Sequence, residues 1–197
     1  MTEEEALLKG REFEVEVFGL PKNFWEVMGP FRQAEYMDFK SSMQQIIALN
    51  NGMYAEALVE GYPYCHNPEN PKMGRTHDLW AAVKNWIPKR VGSDSHLPLF
   101  LYVAIGRNAF DRYHGVDAFF WWRGEYVTID VSTSNKKSPS ADFVFTPKEY
   151  FDSRLLSRFG KRVADLLVAR SLRKEKEEKV EPSLESVLIE VLKSGLG

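Results

Sequence analysis

The sequence predicts an α/β domain: a central mixed sheet, with an antiparallel hairpin at its heart, flanked by helices. Three stretches predict it. In Val116–Ser132, VDAFFWWRGEYVTIDVS, two runs of aromatic and β-branched residues flank Arg123-Gly124, the pattern of a hairpin closed by a tight turn. Leu97–Ile105, LPLFLYVAI, is a continuous apolar run bounded by polar residues and glycine, as expected of a buried central strand. Thr146-Pro147-Lys148-Glu149 is a helix start, with Thr at the N-cap, Pro at the first helical position and Glu at the third. The stripe that follows, Phe151, Leu155, Leu156, Phe159, Val163, Leu166, Leu167 and Leu172, is amphipathic at helical spacing.

The remaining elements follow in chain order. Glu12–Phe18 alternates Glu12, Glu14 and Glu16 with Phe13, Val15 and Val17, which predicts a half-exposed edge strand ended by Gly19-Leu20-Pro21. Phe24–Phe31, closed by Gly29-Pro30, predicts a turn of helix and a loop. From Gln33 to Gly61, apolar residues such as Met37, Met43, Ile46, Met53 and Leu58 recur at helical spacing, and Asn50-Asn51-Gly52 is a break or C-cap in their midst. Gly61–Arg75 reads as a long loop. Thr76-His77-Asp78 opens a helix whose Leu79, Trp80, Val83, Trp86 and Ile87 share one face, and Pro88 stops it. Asn108–Gly115 links the apolar strand to the hairpin, and Ala141–Phe145 adds a further short strand. After Arg173 the pattern dissolves into KEKEEKVEP, a solvated charge run, before a short helix over Ser183–Leu192. The expected division is an α/β domain over 1–172, a charged linker over 173–182 and a C-terminal helix over 183–197 that can dock a protein partner.

Composition narrows the class. A chain of 197 residues with 44% hydrophobic content can bury one substantial core. Its formal net charge of −2 makes any nucleic-acid contact depend on a local basic surface. The single Cys65 excludes an internal disulfide and a cysteine-based zinc cluster, pointing to reducing cytoplasm. The acidic start MTEEEALLKG has no apolar core of a signal peptide, and no apolar run approaches the ~18 residues of a membrane span.

The chemistry centres on the hairpin. With the turn on Arg123-Gly124, Trp122 faces Glu125, Phe120 faces Val127 and Asp117 faces Asp130. Val116, Ala118, Phe120, Trp122, Val127, Ile129 and Val131 then form an apolar face. Asp117, Phe119, Trp121, Tyr126, Thr128, Asp130 and Ser132 form the other. Two carboxylates opposed on a ladder lie roughly 4.5–5.5 Å apart at Cβ and repel each other, and a divalent cation offsets such repulsion. Carboxylates are hard oxygen ligands suited to Mg²⁺ or Mn²⁺.

The succession of helix, strand, Asp-bearing strand (GVDAFF), second acidic strand (TIDVSTSNKK) and helix resembles the PD-(D/E)XK nuclease superfamily, over roughly Gly52 to Lys137. The resemblance implies a restriction-endonuclease-like fold and metal-dependent hydrolysis of nucleic-acid phosphodiester bonds. It implies Asp117 and Asp130 as metal ligands, with Glu56 of the preceding helix as a third, and Mg²⁺ or Mn²⁺ as cofactor. The family's lysine belongs two residues after the second acid, where this chain has Ser132; Lys136 or Lys137 would have to reach back to attend the attacking water. The family's helix between this strand and the next is also missing from the pattern. A second registration takes Asp130 and Asp142 as the pair, with Val144 in the lysine position. His114, three residues before Asp117, could serve as a base or ligand at the mouth of the site.

For a polyanionic substrate, Lys148–Lys176 carries nine cationic residues against four acidic ones. Arg154, Arg158, Lys161 and Arg162 are its expected contacts, and Phe119, Trp121 and Tyr126 either stack on bases or pack under a covering helix. The rival expectation is a non-catalytic binding or assembly protein that keeps the fold with a degenerate site.

Overall fold

The computed structural model describes residues 3–19, 35–60, 66–72, 74–91, 97–104, 108–133 and 140–180. Its elements are α1 (Glu3–Phe18), α2 (Phe39–Glu60), α3 (Thr76–Lys84), α4 (Pro88–Val91), β1 (Phe100–Val103), α5 (Ala109–His114), β2 (Ala118–Trp122), β3 (Glu125–Val131), β4 (Phe143–Phe145), α6 (Pro147–Phe151) and α7 (Ser153–Val180). The four strands form one mixed sheet in the order β1-β2-β3-β4. The first two pairings are antiparallel and β3–β4 is parallel.

The hairpin register is the expected one from Trp122–Glu125 through Phe120–Val127 to Ala118–Ile129, but the expected Asp117–Asp130 pair is not part of the ladder. Its turn places Arg123 at φ 52° and Gly124 at φ 76°. Positive φ at both central residues is the twist-matched hairpin geometry, which glycine adopts freely and arginine only at a cost.

Alternation along β2 and β3 splits the core between two helical layers. Ala118, Phe120, Trp122, Val127, Ile129 and Val131 face Phe13 and Val17 of α1, Leu79 and Val83 of α3, and Phe159, Val163 and Leu167 of α7. On the other face Phe119, with Tyr102, packs against Met43 and Ile46 of α2 and Phe110 of α5, and Trp121 and Tyr126 lie against the same cluster. Of the two expectations for Phe119, Trp121 and Tyr126, packing under a covering helix is the one the structure shows, because these aromatic side chains offer α2 an apolar floor. Phe39 stands 5.9 Å from Tyr126, ring centre to ring centre.

Several elements differ from expectation. Glu12–Phe18 is helix, part of α1, because Phe13 and Val17, four residues apart, bury one helical face beside Phe18. The Asn50-Asn51-Gly52 stretch does not break α2. Buried Asn50 instead donates from Nδ2 to the carbonyls of Ile46 (3.0 Å) and Val103 (2.8 Å), and its Oδ1 accepts from Val103 N–H (3.0 Å). The apolar strand β1 is an edge strand, not a central one. Its outer rim is satisfied by Asn50, by His66 Nε2 on Leu101 O (2.8 Å), and by Leu101 N–H on Pro68 O (2.8 Å), so it stays buried without a further strand.

Pro88 starts α4 rather than merely ending α3. The Thr146 capping box is present, but the helix it opens stops at Phe151. Asp152 then accepts from Arg154 N–H (2.8 Å) and Leu155 N–H (3.2 Å), starting α7 afresh. Helix α7 runs on to Val180, so the first part of the charge run expected as a linker is helical. Phe24–Phe31 and Ser183–Leu192 lie outside the described residues. Among the described residues no helix is long and apolar enough to cross a membrane.

Candidate carboxylate site

Asp117 sits just before β2, at the end of the hairpin remote from its turn. Its N–H donates to Ile129 O (3.0 Å), although Ile129 is the register partner of Ala118. Two residues thus stand against one, as in a β-bulge, and a bulge re-aims the side chain that carries it. Asp117 is 7% exposed, and its Oδ2 accepts Val131 N–H at 2.6 Å. Helix α5, which leads into it, is capped by Asn108 accepting from Asp111 N–H (2.9 Å) and ended by Gly115.

The Asp117 carboxyl is pushed well above the usual carboxylate range. Burial is the largest cause. The charges of Glu14 on α1, Asp111 on α5 and Asp130 on β3 follow in that order of weight where they raise it, and the Val131 bond opposes them. Asp130 is half-buried on β3, in register with Val144 of β4. Asp130 is the weakest of the three acids that act on Asp117; the stronger two, Glu14 and Asp111, were missed in the sequence. Glu14 was hidden by reading its helix as a strand, and Asp111 by treating α5 as a connection. The available signal was the i, i+3 spacing of Glu14 to Val17, which puts the acid beside a buried helical face.

The other expected site residues are dispersed. Glu56 lies on α2, with its side chain outside the described residues, as are Lys136 and Lys137 altogether. Ser132, in the family's lysine position, bonds through its backbone N–H to Phe145 O (3.0 Å). His114 Nε2 meets Met37 O at 3.0 Å, tying α5 to the chain entering α2. Asp142 of the second registration is occupied by Arg170 of α7. The guanidinium grips both its oxygens at 2.8 Å, and Oδ2 also accepts Thr128 N–H (3.0 Å). Half-burial alone would raise Asp142, but the bonds from Arg170 and Thr128 outweigh it and hold the carboxyl below its ordinary value.

Of the expected nucleic-acid contacts, Arg154 and Arg158 are exposed near the start of α7. Lys161 pairs with Asp165 (2.9 Å), which also takes Arg90 (2.6 Å), and Arg162 lies 4.7 Å over the Phe143 ring. No family model, curated protein or solved structure matches the chain. The site's chemistry therefore has to be judged on its own residues.

Those residues suit a hard cation by donor type. Among the described residues, no three His, Cys, Asp or Glu side chains stand together as a metal-holding group. Mg²⁺ is commonly held by one or two carboxylates with water completing the shell.

Proposed function

We propose that the protein is a metal-dependent phosphodiesterase acting on nucleic acid, with Asp117 and Asp130 holding Mg²⁺ or Mn²⁺. One observation carries the reading: a buried carboxyl at the mouth of β2 lies within the fields of three further acids, Glu14, Asp111 and Asp130. Such a gathering of like charge is costly in a metal-free fold, and a divalent cation is its natural complement. The placement of Asp117 before one strand and Asp130 on its antiparallel neighbour also agrees with the PD-(D/E)XK resemblance.

In this reading Glu14 takes the helix-acid part first expected of Glu56. When bound, the cation lowers the pKa of water and neutralises charge on a phosphoryl oxygen. The chain's own residues do the rest. Val131 N–H fixes the Asp117 carboxyl, Asp117 and Asp130 would hold the cation, and Lys136 or Lys137 would attend the attacking water. A second reading, a non-catalytic binding protein on the same scaffold, is favoured by Ser132 in the lysine position and by the structural bond from Asp117 to Val131.

Cleavage of single- and double-stranded DNA and RNA with Mg²⁺ or Mn²⁺ separates the two. The wild type is expected to cut at least one substrate, and Asp130→Asn, equally folded by circular dichroism, to cut none above background. Failure of the wild type on all four substrates with both metals overturns the catalytic reading, as does full activity in Asp130→Asn.

A further inference from the structure

Strand β3 runs four residues further toward the hairpin turn than the short β4 that pairs with it, leaving the rim at Tyr126 and Thr128 without a strand partner on that side. Side chains cover this rim. Arg170 of α7 donates to Tyr126 O while gripping Asp142, and Asp142 in turn takes Thr128 N–H. Beside this brace lies a pocket of about 340 Å³ lined by Glu125, Tyr126, Arg170, Arg173 and Lys174. Three cations thus face one carboxylate and one aromatic ring.

The cations stand at 170, 173 and 174 on α7, and spacings of three and four residues bring helical side chains to one face. Arg170 is held in place before any ligand arrives, so little side-chain freedom remains to be lost on binding. Lys174 is the opposite case. Its amine is 4.0 Å from Glu125 Oε1, at the limit of an ion pair, and its side chain is 46% exposed. A phosphodiester, whose two anionic oxygens can each accept a charge-assisted hydrogen bond, is a better partner than that distant carboxylate. The pocket and Asp130 share strand β3. Tyr126 and Asp130 lie on the same side of β3, four residues or roughly 14 Å apart.

We propose that this pocket holds a backbone phosphate of a nucleic-acid strand, anchored by Arg173 and Lys174 against the fixed Arg170, at the end of β3 opposite Asp130. The proposal rests on the phosphodiesterase reading for its choice of polyanion. It assigns to the far end of α7 the contact that charge count alone would give to Arg154 and Arg158.

The test is binding of fluorescent single- and double-stranded oligonucleotides by anisotropy, in EDTA and over a range of salt. Wild type is compared with Arg173→Gln/Lys174→Gln and with Arg154→Gln/Arg158→Gln, a control that removes the same charge elsewhere on the helix. Arg170 is left intact because it braces Asp142. The pocket variant is expected to lose affinity about tenfold or more, and its slope of log K against log salt to fall by about 1.4–1.8, for two phosphate contacts. The control is expected to change both less.

Equal losses in the two variants, or no loss in the pocket variant, overturn the proposal. So does wild type that binds no oligonucleotide. If wild type cleaves but the pocket variant binds normally, the pocket fails and the phosphodiesterase reading stands. If binding falls as expected but no metal supports cleavage, the reading fails and the pocket stands. In a parallel arm, inorganic phosphate is titrated alone. A thermal shift with phosphate that the pocket variant abolishes, with oligonucleotide affinity unchanged, assigns the pocket to free phosphate and overturns the polynucleotide assignment.

Discussion

Replacing Asp117 by Asn and by Ala separates its charge from its hydrogen bond. The metal-free carboxyl is raised by burial and then by Glu14, Asp111 and Asp130, so the folded protein keeps a proton that the unfolded chain sheds near pH 4. From there upward the folded state binds more protons than the unfolded one, and stability contributed by this group falls as pH rises. The limit is about 1.36 kcal/mol per pH unit, reached between the unfolded and folded pKa values. Asn mimics the neutral form, keeps an oxygen for Val131 N–H and has no such slope.

Asp117→Asn is therefore expected to match the wild type near pH 4 in EDTA and to exceed it progressively toward pH 7. Asp117→Ala removes the acceptor from a backbone N–H in a residue 2% exposed, at a cost of roughly 1–3 kcal/mol, and this loss is already present near pH 4. Urea unfolding of the three proteins from pH 4 to 7.5 reads both effects, and differences between variants cancel contributions from other groups. A gap between wild type and Asn that stays constant with pH, or one in which the wild type gains as pH rises, refutes the reasoning.

Other outcomes follow from the same structure. Burial depresses His66, against a smaller opposing effect of its bond to Leu101 O, so the unfolded chain takes up a proton first on acidification. Stability from His66 is complete above about pH 6.5 and is lost as pH falls through that value toward the folded pKa; thermal melts of His66→Gln should show a shallower loss over that range. A Cβ on Gly160 would stand 2.5 Å from the Ala82 carbonyl carbon and 2.8 Å from its Cβ. Gly160→Ala is therefore expected to destabilise by roughly 1–3 kcal/mol in urea unfolding, despite alanine's better helix propensity, because α3 and α7 must separate. Asn50→Leu should leave Val103 N–H and C=O without their partner, at about 1–3 kcal/mol for each group, and hydrogen exchange should show β1 opening before β2 and β3.

The hairpin was legible because alternation, turn residues and aromatic content all agreed, and its register could be counted outward from Arg123-Gly124. The capping box at Thr146 was legible for the same reason: four adjacent residues carry the whole signal. What escaped the sequence depended on partners distant in the chain. Glu12–Phe18 satisfies both a strand and a helix pattern, and only packing of Phe13 and Val17 against the sheet decides between them. Asn50 reads locally as a helix breaker, whereas its amide is used on Val103, 53 residues away. The surroundings of Asp117 were not legible in the sequence. A bulge at Asp117 and the approach of Glu14 and Asp111 belong to the assembled fold rather than to any one stretch of it.

The central claim, that Asp117 and Asp130 share one cation, is tested most directly by calorimetric titration of Mn²⁺ near neutral pH in two buffers of different ionisation heat. One binding event is expected in the wild type, accompanied by proton release as Asp117 ionises. Loss of binding is expected in Asp130→Asn, and weakened binding without proton release in Asp117→Asn. No binding in the wild type, or binding unchanged by either substitution, would contradict the claim.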